Sequence, residues 1–326
     1  MPRPFAVADA MLVTLQYFAL RHCPLTESEL LQFLPADCSS VARESFDGAL
    51  DALVRKGAIE STNGFYGLPG ALPQDLKYRA DLYCASLTKW RIAHQSIVKL
   101  SWIPFLRMVA VTNTLALNMA EDSSDIDVLV VGSSGRLWTV RWLVTAVLQL
   151  SGRRRHGHHI KNRICLSFYL SDQALNFGQF FHSNNDLHYA YWVGMIVPMF
   201  VANGHQTQEK FFQENSWINE FFPQHHWIGI APVFEVRDAS WAMRTRSTFE
   251  WFLRGRLGNV FETAVRWIQR KKIYSHQESR VHQKGVDVVV TDDVLKFHES
   301  DSRAEHRKQW REQCRFHGIE VDNTGG

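Results

Sequence analysis

The sequence MVAVTNTLALNMAEDSSDIDVLVVG, residues 108–132, is the stretch that decides the fold. It contains two short apolar runs, residues 108–111 and 128–131, of the kind that suits buried strands. A polar loop at residues 112–114, a short helical turn and the acidic pair Asp125 and Asp127 lie between them. The pattern predicts two strands, with carboxylates at the start of the second.

The acidic pair has a chemical consequence. Residues i and i+2 of a strand project from the same face, so Asp125 and Asp127 should lie a few ångströms apart, while Ile126 faces the core. Two carboxylates this close repel unless a positive charge lies between them, and a hard divalent cation is the usual solution. The alternative interpretation is an exposed acidic turn that opens an ordinary strand.

The same residues resemble the signature of the nucleotidyltransferase superfamily, which has the polymerase-beta-like fold. That signature is an apolar strand, a Gly-Ser or Gly-Gly turn, a spacer, and then Asp-x-Asp on the next strand. Residues 111–131 closely resemble a bacterial and archaeal branch whose motif reads TGSLAxxNAxxDSDID. Three later segments also resemble this branch: ICLSFYL at 164–170, ENSWINEFFP at 214–223 and LKFHESDSR at 295–303. The resemblance runs from about residue 80 to residue 312.

This resemblance implies an EC 2.7.7-type reaction, the Mg²⁺- or Mn²⁺-dependent transfer of a nucleoside monophosphate from a nucleoside triphosphate to an acceptor. Asp125 and Asp127 would hold the metal against the triphosphate oxygens. The turn before the acids offers backbone N–H groups to phosphate. The residues expected to bind the nucleotide are Thr112, Asn113, Thr114 and Ser124.

The chain departs from the family pattern at two positions. Asn113 replaces the turn glycine; it tolerates the left-handed conformation better than most residues but brings a side chain toward the phosphates. The third carboxylate is expected on the third strand, yet residues 164–170 contain no acid, and Ser167 lies in their middle. Asp172, just beyond that strand, is the candidate for the missing catalytic acid.

The missing acid leaves two functions open. One is the nucleotidyltransferase, with a small molecule, a protein or RNA as its acceptor. The other is a catalytically impaired protein that binds or senses a nucleotide and uses its N-terminal unit for interaction or regulation. A third acid close to the pair in space would favour the enzyme.

Composition describes an ordinary globular protein. Of 326 residues, 45% are hydrophobic and 21% are charged, and the net charge of +3 is too small to indicate nucleic acid by itself. The five cysteines have no zinc-site spacing. Asp9 and Gln16 interrupt the N-terminal apolar run, and the longest later run is too short to cross a bilayer. We therefore expect a cytoplasmic protein without a membrane partner.

Residues 1–70 predict a winged-helix-like domain of three helices and a hairpin. The TESE sequence at 26–29 is a capping box, and Asn63-Gly64 is a hairpin turn. The third helix carries Glu44, Asp47 and Asp51 as well as Arg43, Arg55 and Lys56, so its surface is not one that would bind the phosphates of DNA. A protein contact or structural role is favoured over DNA binding.

The rest of the chain is predicted to form two further domains. Residues 75–172 are the nucleotidyltransferase-like domain, with a mixed sheet in which a helix at 137–150 crosses between the second and third strands. Residues 173–326 are a mostly helical C-terminal domain, including one long helix at 247–272 and a short strand at 287–290. The fold class is α/β (α+β). The basic run at 153–161, in the loop before the third strand, either attracts triphosphate or an RNA-like acceptor, or is simply a charged loop.

Overall fold

The computed structural model describes residues 5–35, 43–181, 186–202, 206–277, 287–298, 302–316, 318–319 and 321. The strands among them are β1 (Leu25–Thr26), β2 (Glu60–Thr62), β3 (Phe65–Gly67), β4 (Leu106–Val111), β5 (Ile126–Gly132), β6 (Ile164–Ser171), β7 (Val197–Val201), β8 (Asp287–Val290) and β9 (Val294–His298). The helices are α1 (Val7–Ala19), α2 (Glu27–Gln32), α3 (Arg43–Arg55), α4 (Leu72–Val98), α5 (Asn113–Ala116), α6 (Leu137–Leu150), α7 (Leu187–Gly194), α8 (Gln206–Glu214), α9 (Ile218–Phe221), α10 (Ser240–Leu253), α11 (Arg256–Gln277) and α12 (Ser302–Phe316). The fold class is mixed α/β, as predicted.

The two predicted strands lie at the centre of a six-stranded mixed sheet with the order β7-β4-β5-β6-β9-β8. β4 and β5 are antiparallel, whereas β5 and β6 are parallel. The crossover between the parallel strands is α6, which has the bounds that the sequence predicts. Because β5 and β6 run the same way, the residues that open both strands lie at one edge of the sheet.

Both faces of the sheet are buried, which explains why its strands are apolar without alternation. Met108 and Ala110 of β4 belong to the core on one face, and Val109 and Val111 belong to the core on the other. Helix α6 packs on the second face through residues such as Val144. A polar side chain at this depth has no water to contact, so polar groups collect where the strands begin and end.

The N-terminal segment contains the predicted three helices and hairpin, in the order of the predicted winged helix. Thr26 and Glu29 form the capping box at the start of α2. Asn63 and Gly64 both have positive φ, 53° and 79°, as a tight hairpin turn requires. The hairpin strands are joined by β1, which the sequence analysis did not predict, in the order β1-β3-β2.

The packing does not stop at the predicted boundary near residue 70. One hydrophobic core contains residues of α1, of the central sheet and of α12. Tyr17 of α1 stacks on Tyr191 of α7, with ring centroids 4.1 Å apart. The indole nitrogen of Trp310 donates to the carbonyl of Val13 at 3.1 Å. The N-terminal unit is therefore part of the common core and is not separated from it by a linker.

The C-terminal segment also needs a correction. It is helical for the most part, but β7, β8 and β9 complete the central sheet, so residues 173–326 are not a domain apart. The predicted long helix is two helices, α10 and α11, divided around Gly255. The predicted strand at 287–290 is β8. Part of the segment 295–303 lies outside the described residues. No helix in the described ranges combines the length and the apolarity needed to span a bilayer.

Candidate functional site

The predicted acid pair lies where β5 begins, and β6 brings a third side chain to it. Asp125 directly precedes β5, and Asp127 is the second residue of that strand. The register partner of Asp127 on β6 is Cys165. One ligand atom from each of the three side chains lies within 4.8 Å of the others. We call these three residues the strand-start cluster; in the part of the chain that is described, no other group of three or more His, Cys, Asp or Glu side chains comes together in this way.

Asn113 binds the cluster from the turn that follows β4. It adopts φ 61°, the left-handed conformation expected of a residue that replaces the turn glycine. Its Nδ2 donates to Oδ2 of Asp127 at 2.7 Å, and its Oδ1 accepts from the indole nitrogen of Trp192 at 2.5 Å. Because an indole N–H only donates, Trp192 determines which end of the amide faces the carboxylate. The departure from glycine thus supplies a hydrogen bond to the buried acid.

Arg155 provides the positive charge beside the acid pair. Its guanidinium donates to Oδ2 of Asp125 at 2.6 Å and to the sulfur of Cys165 at 3.6 Å. The Arg155 side chain is 44% exposed and that of Asp125 is 14% exposed, so the pair lies at the mouth of the site. The predicted basic run therefore reaches the site through Arg155, while its Lys161 pairs with Asp122 on the neighbouring loop.

Burial and like charge together perturb Asp127. Desolvation raises the pKa of its carboxyl group above the ordinary value, and the nearby charge of Asp125 raises it further. The hydrogen bond from Asn113 acts in the opposite direction and lowers the pKa. Since burial dominates, the ionised form of Asp127 is disfavoured here until additional positive charge approaches.

Cys165 is the residue that β6 places level with Asp127. Burial raises the pKa of its thiol to about 12, and the carboxylates of Asp127 and Asp125 add to this shift. The group is therefore a neutral thiol at physiological pH. Neither a proton acceptor nor a hard anionic ligand is available from β6 at this level.

The donor set fits one hard divalent cation. Carboxylate oxygens are the ligands that Mg²⁺ and Mn²⁺ prefer, and Mg²⁺ is commonly held by one or two carboxylates, with phosphate oxygens and water completing its shell. Asp125 and Asp127 offer such oxygens at one point, and a cation there would offset their repulsion. A thiol is a poor ligand for these ions, so we do not expect Cys165 to supply a third ligand to the cation.

A buried lysine holds the loop that carries the acids. Lys89 of α4 donates to the carbonyl of Ser124 at 2.6 Å, to Oδ1 of Asn162 at 3.0 Å and to the carbonyl of Asp122 at 3.3 Å. The side chain is almost wholly buried, and burial lowers its pKa. These contacts tie the loop before β5 to the loop before β6, which positions Asp125.

The other predicted nucleotide-binding residues lie in the same region and take part in hydrogen bonds to the backbone there. Thr112 is buried, and its N–H donates to the carbonyl of Asp127 at 3.1 Å. The Ser124 hydroxyl donates to the carbonyl of Glu121 at 2.9 Å. Thr114 is half-buried in α5, and its carbonyl accepts from Met119 at 2.8 Å. The Ser124 hydroxyl also lies 3.2 Å from the carbonyl oxygen of Asp125, and the side chain of Asn113 bonds the carboxylate of Asp127.

Asp172 does not stand beside the acid pair, so that prediction is wrong. Its backbone N–H donates to the carbonyl of Gly132, at the far end of β5 from Asp127. Gly132 lies five residues beyond Asp127 along the strand, which is about 16 Å at the usual rise per residue. The Asp172 carboxylate instead accepts from the backbone N–H of Ser134 at 2.9 Å. The parallel register that brings Cys165 to the pair carries Asp172 away from it.

Sequence reasoning missed Cys165, Arg155 and Trp192. The sequence did contain one signal for Cys165. A helix that connects two neighbouring strands indicates that they are parallel, so the second residue of β6, Cys165, is expected to lie beside the second residue of β5, Asp127. Arg155 was noticed as part of a basic run, but nothing in the sequence distinguishes it from its neighbours. Trp192 lies 79 residues from Asn113, and only the tertiary fold brings them together.

Comparisons of the chain with protein-family profiles, with curated proteins and with solved structures found no significant match.

Proposed function

We propose that this chain binds a nucleoside triphosphate with one Mg²⁺ or Mn²⁺ at the strand-start cluster and transfers its nucleoside monophosphate to an acceptor. The observation that carries the proposal is the convergence of Asp125 and Asp127 at the start of β5, next to the turn at Asn113. The resemblance of residues 111–131 to the nucleotidyltransferase motif supports the same reading.

The protein groups have separate roles in this proposal. Asp125 and Asp127 would hold the ion, which when bound supplies positive charge for the triphosphate and the leaving pyrophosphate. Asn113 keeps Oδ2 of Asp127 in a fixed orientation. Arg155, half-exposed at the mouth, presents donors that suit phosphate oxygens.

The chemistry of Cys165 restricts the acceptor. A protonated thiol with a pKa of about 12 cannot remove a proton from an acceptor hydroxyl at neutral pH. An acceptor that is already ionised, such as a carboxylate or a phosphate, needs no such base. Its oxygen would bond to the α-phosphorus while the bond from that phosphorus to pyrophosphate breaks. We therefore favour an anionic acceptor.

The neutral thiol of Cys165 also favours a second function, nucleotide binding without transfer. With a thiol at the third position and Arg155 paired to Asp125, the cluster retains the groups that bind a metal–triphosphate complex and lacks the base. The N-terminal helices, which share a core with the sheet, would then respond to the bound nucleotide. Transfer assays separate the two functions.

The first experiment measures binding. Titration calorimetry with each of the four ribonucleoside triphosphates, with and without Mg²⁺, should show Mg²⁺-dependent binding of at least one of them. Asp127→Ala should lose that dependence, because it removes one of two carboxylate ligands. Asp172→Asn is the control, since it removes a carboxylate at the other end of the strand pair, and it should bind as the wild type does. Equal metal-dependent affinity in wild type and Asp127→Ala would overturn the proposal.

The second experiment tests transfer. α-Labelled triphosphate is incubated with carboxylate, phosphate and hydroxyl acceptors, and labelled product is measured. We expect label on an anionic acceptor with the wild type, and extension to hydroxyl acceptors with Cys165→Asp, which places a carboxylate at the third position. Binding without any labelled product, in the wild type and in Cys165→Asp, would favour the sensing function instead.

A further inference from the structure

Helices α10 and α11 expose a large apolar surface. Six side chains between residues 251 and 268 are each more than half exposed: Trp251, Phe252, Leu257, Val260, Trp267 and Ile268. We call these six the α10–α11 face. Trp251 and Phe252 contact each other edge to face, with ring centroids 4.9 Å apart. Six exposed apolar side chains on two consecutive helices, three of them aromatic, indicate a binding surface.

The exposed stripe is distinct from the side of α11 that packs on the protein. Leu257, Val260, Trp267 and Ile268 fall within about 100° of the helix circumference at 3.6 residues per turn. The packed side is the opposite one, where Val265 and Ile273 are buried. Helix α11 therefore has two apolar sides, and the core accounts for one of them.

The charges around the face are mostly positive, and the exposed acid Asp292 pairs with one of these cations, Arg266, at 2.8 Å. From residue 240 to residue 275 the chain has seven basic side chains at the surface or partly exposed: Arg244, Arg254, Arg256, Arg266, Arg270, Lys271 and Lys272. The two acidic residues in this stretch, Glu250 and Glu262, are buried and face inward. Glu250 pairs with Arg107, and Glu262 accepts from the backbone N–H of Trp138 at 3.0 Å. The surface offered to a partner is thus apolar and cationic.

We propose that the α10–α11 face binds the surface of an anionic phospholipid bilayer, with α11 lying in the plane of the interface. Tryptophan, phenylalanine and leucine on one side of a helix, with Arg and Lys around them, is the arrangement of interfacial helices. This departs from the sequence-based expectation of no membrane partner, which considered only spanning segments. It does not depend on the proposed nucleotide site.

A groove along α11 suits a phospholipid headgroup. It is lined by Thr263, Arg266, Trp267, Arg270, Lys271 and Tyr274. The ammonium of Lys271 lies 5.5 Å from the ring centroid of Trp267, and the guanidinium of Arg270 lies 5.9 Å from that of Tyr274. Cations held beside aromatic rings place positive charge at headgroup depth while the rings face the acyl chains.

Two other partners fit the surface less well. Nucleic acid would use the cations and could stack on Trp251 and Trp267, but Leu257, Val260 and Ile268 offer bases neither stacking nor hydrogen bonds. A second copy of the chain would bring two cationic surfaces together, which opposes a symmetric contact. A bilayer containing anionic lipid satisfies both the apolar and the cationic character.

The experiment is flotation of the full chain with vesicles of phosphatidylcholine, with or without about one third phosphatidylserine. We expect the protein to float with the anionic vesicles and not with pure phosphatidylcholine, and the bound fraction to fall as salt rises. The double variant Trp251→Glu/Trp267→Glu should lower the vesicle partition coefficient about tenfold or more, as should Lys271→Glu/Lys272→Glu.

Matched controls show whether a loss of vesicle binding is specific to the α10–α11 face or follows from any change of an exposed aromatic or basic side chain. Tyr83→Glu and Arg91→Glu alter an exposed aromatic and an exposed cation on α4 and should float as the wild type does. Circular dichroism and thermal melting should be unchanged in every variant, because the altered side chains are exposed. Loss of vesicle binding in the face variants, with wild-type circular dichroism and melting and with flotation kept in Tyr83→Glu and Arg91→Glu, would assign the effect to this face.

Three outcomes would overturn the proposal. One is failure of the wild type to float with anionic vesicles. Another is equal flotation of the wild type and the tryptophan double variant. The last is a different partner: binding of labelled single-stranded RNA, or a dimer in sedimentation, that depends on Trp251 and Trp267 in a protein that does not bind vesicles.

Discussion

The two ends of the parallel pair β5 and β6 both carry carboxylates, but the carboxylates have different surroundings. At the start, Asp125 and Asp127 lie together beside Cys165. At the other end, Asp172 accepts a hydrogen bond from the backbone N–H of Ser134, and Asp293 accepts one from the hydroxyl of the same serine. We call Ser134, Asp172 and Asp293 the strand-end group.

The difference shows how a structural acid is distinguished from a candidate functional one. The strand-end acids are each bound to a donor from the loop after β5, so they stabilise a turn. At the start, burial and the neighbouring acid raise the pKa of Asp127, and the compensating donors are a side-chain amide and a half-exposed guanidinium. Carboxylates placed close together against their own repulsion are typical of a binding site.

The largest expected effect compares one acid from each end. If transfer occurs, Asp125→Asn should lower its rate at least about a hundredfold, because a carboxylate that holds the metal acts on the charge of the transition state. Asp172→Asn should leave the rate unchanged. The measurement is single-turnover labelling of acceptor, with circular dichroism to confirm that both variants fold. A large loss of transfer rate in Asp172→Asn would show that the carboxylates at both ends of the strand pair take part in the reaction.

Much of this comparison could be predicted from the sequence. The strands around the acid pair are apolar on both faces because both faces are buried, and this is visible without any alignment. Helix α6 begins and ends as predicted, because its apolar spacing is regular. The left-handed conformation of Asn113 followed from its place in the turn.

The parts that could not be predicted depend on long-range pairing. β7 contains Pro198, which normally argues against a strand, yet β7 is an edge strand and tolerates it. At the split between α10 and α11, Gly258 lies so close to the carbonyl oxygen of Leu253 that a Cβ at this position would clash with it. The position of Asp172 depends on the direction of β6. Because β6 runs parallel to β5, the residue that follows β6 lies at the far end of the pair from Asp127.

The next effect concerns the support of the strand-start end. Lys89→Met should lower the free energy of unfolding by about 1–3 kcal/mol, since it leaves buried oxygen acceptors without their donor. The carbonyl of Ser124 keeps its bond from the Asn162 N–H, which limits the cost. Chemical denaturation measures the change. Lys77→Met, on the exposed side of the same helix, is the control and should change stability little. A loss no larger than that of the control would mean that Lys89 does not hold the acid loop.

A smaller effect has the opposite sign. Asp127→Asn should raise the stability of the metal-free protein at neutral pH by about 1 kcal/mol, because the ionised carboxylate is buried beside Asp125. The amide oxygen of the new side chain can still accept from Asn113.

The pH dependence gives a further check on Asp127. A raised pKa means that the folded state binds the proton more tightly than the unfolded chain, whose Asp titrates near the ordinary value of about 3.9. The wild type therefore loses stability as pH rises from that value through the raised pKa, and Asp127→Asn lacks this component. Thermal melting across this range measures it. Lower stability of Asp127→Asn at neutral pH would show that its partners already compensate the charge.

The smallest effect belongs to the strand-end group. Asp172→Ala removes one acceptor for the backbone N–H of Ser134, a loss typical of turn and capping contacts and worth about 1 kcal/mol or less. Asp172→Asn keeps an oxygen acceptor and should lose even less, while Asp81→Ala on the exposed side of α4 should lose nothing measurable. Chemical denaturation ranks the three variants, and calorimetry with Mg²⁺ and triphosphate should give wild-type affinity for each. This ranking with unaltered binding makes Asp172 a turn-stabilising acid. A weaker triphosphate affinity in Asp172→Ala, despite its distance from Asp127, would instead mean that the two ends of the strand pair are coupled.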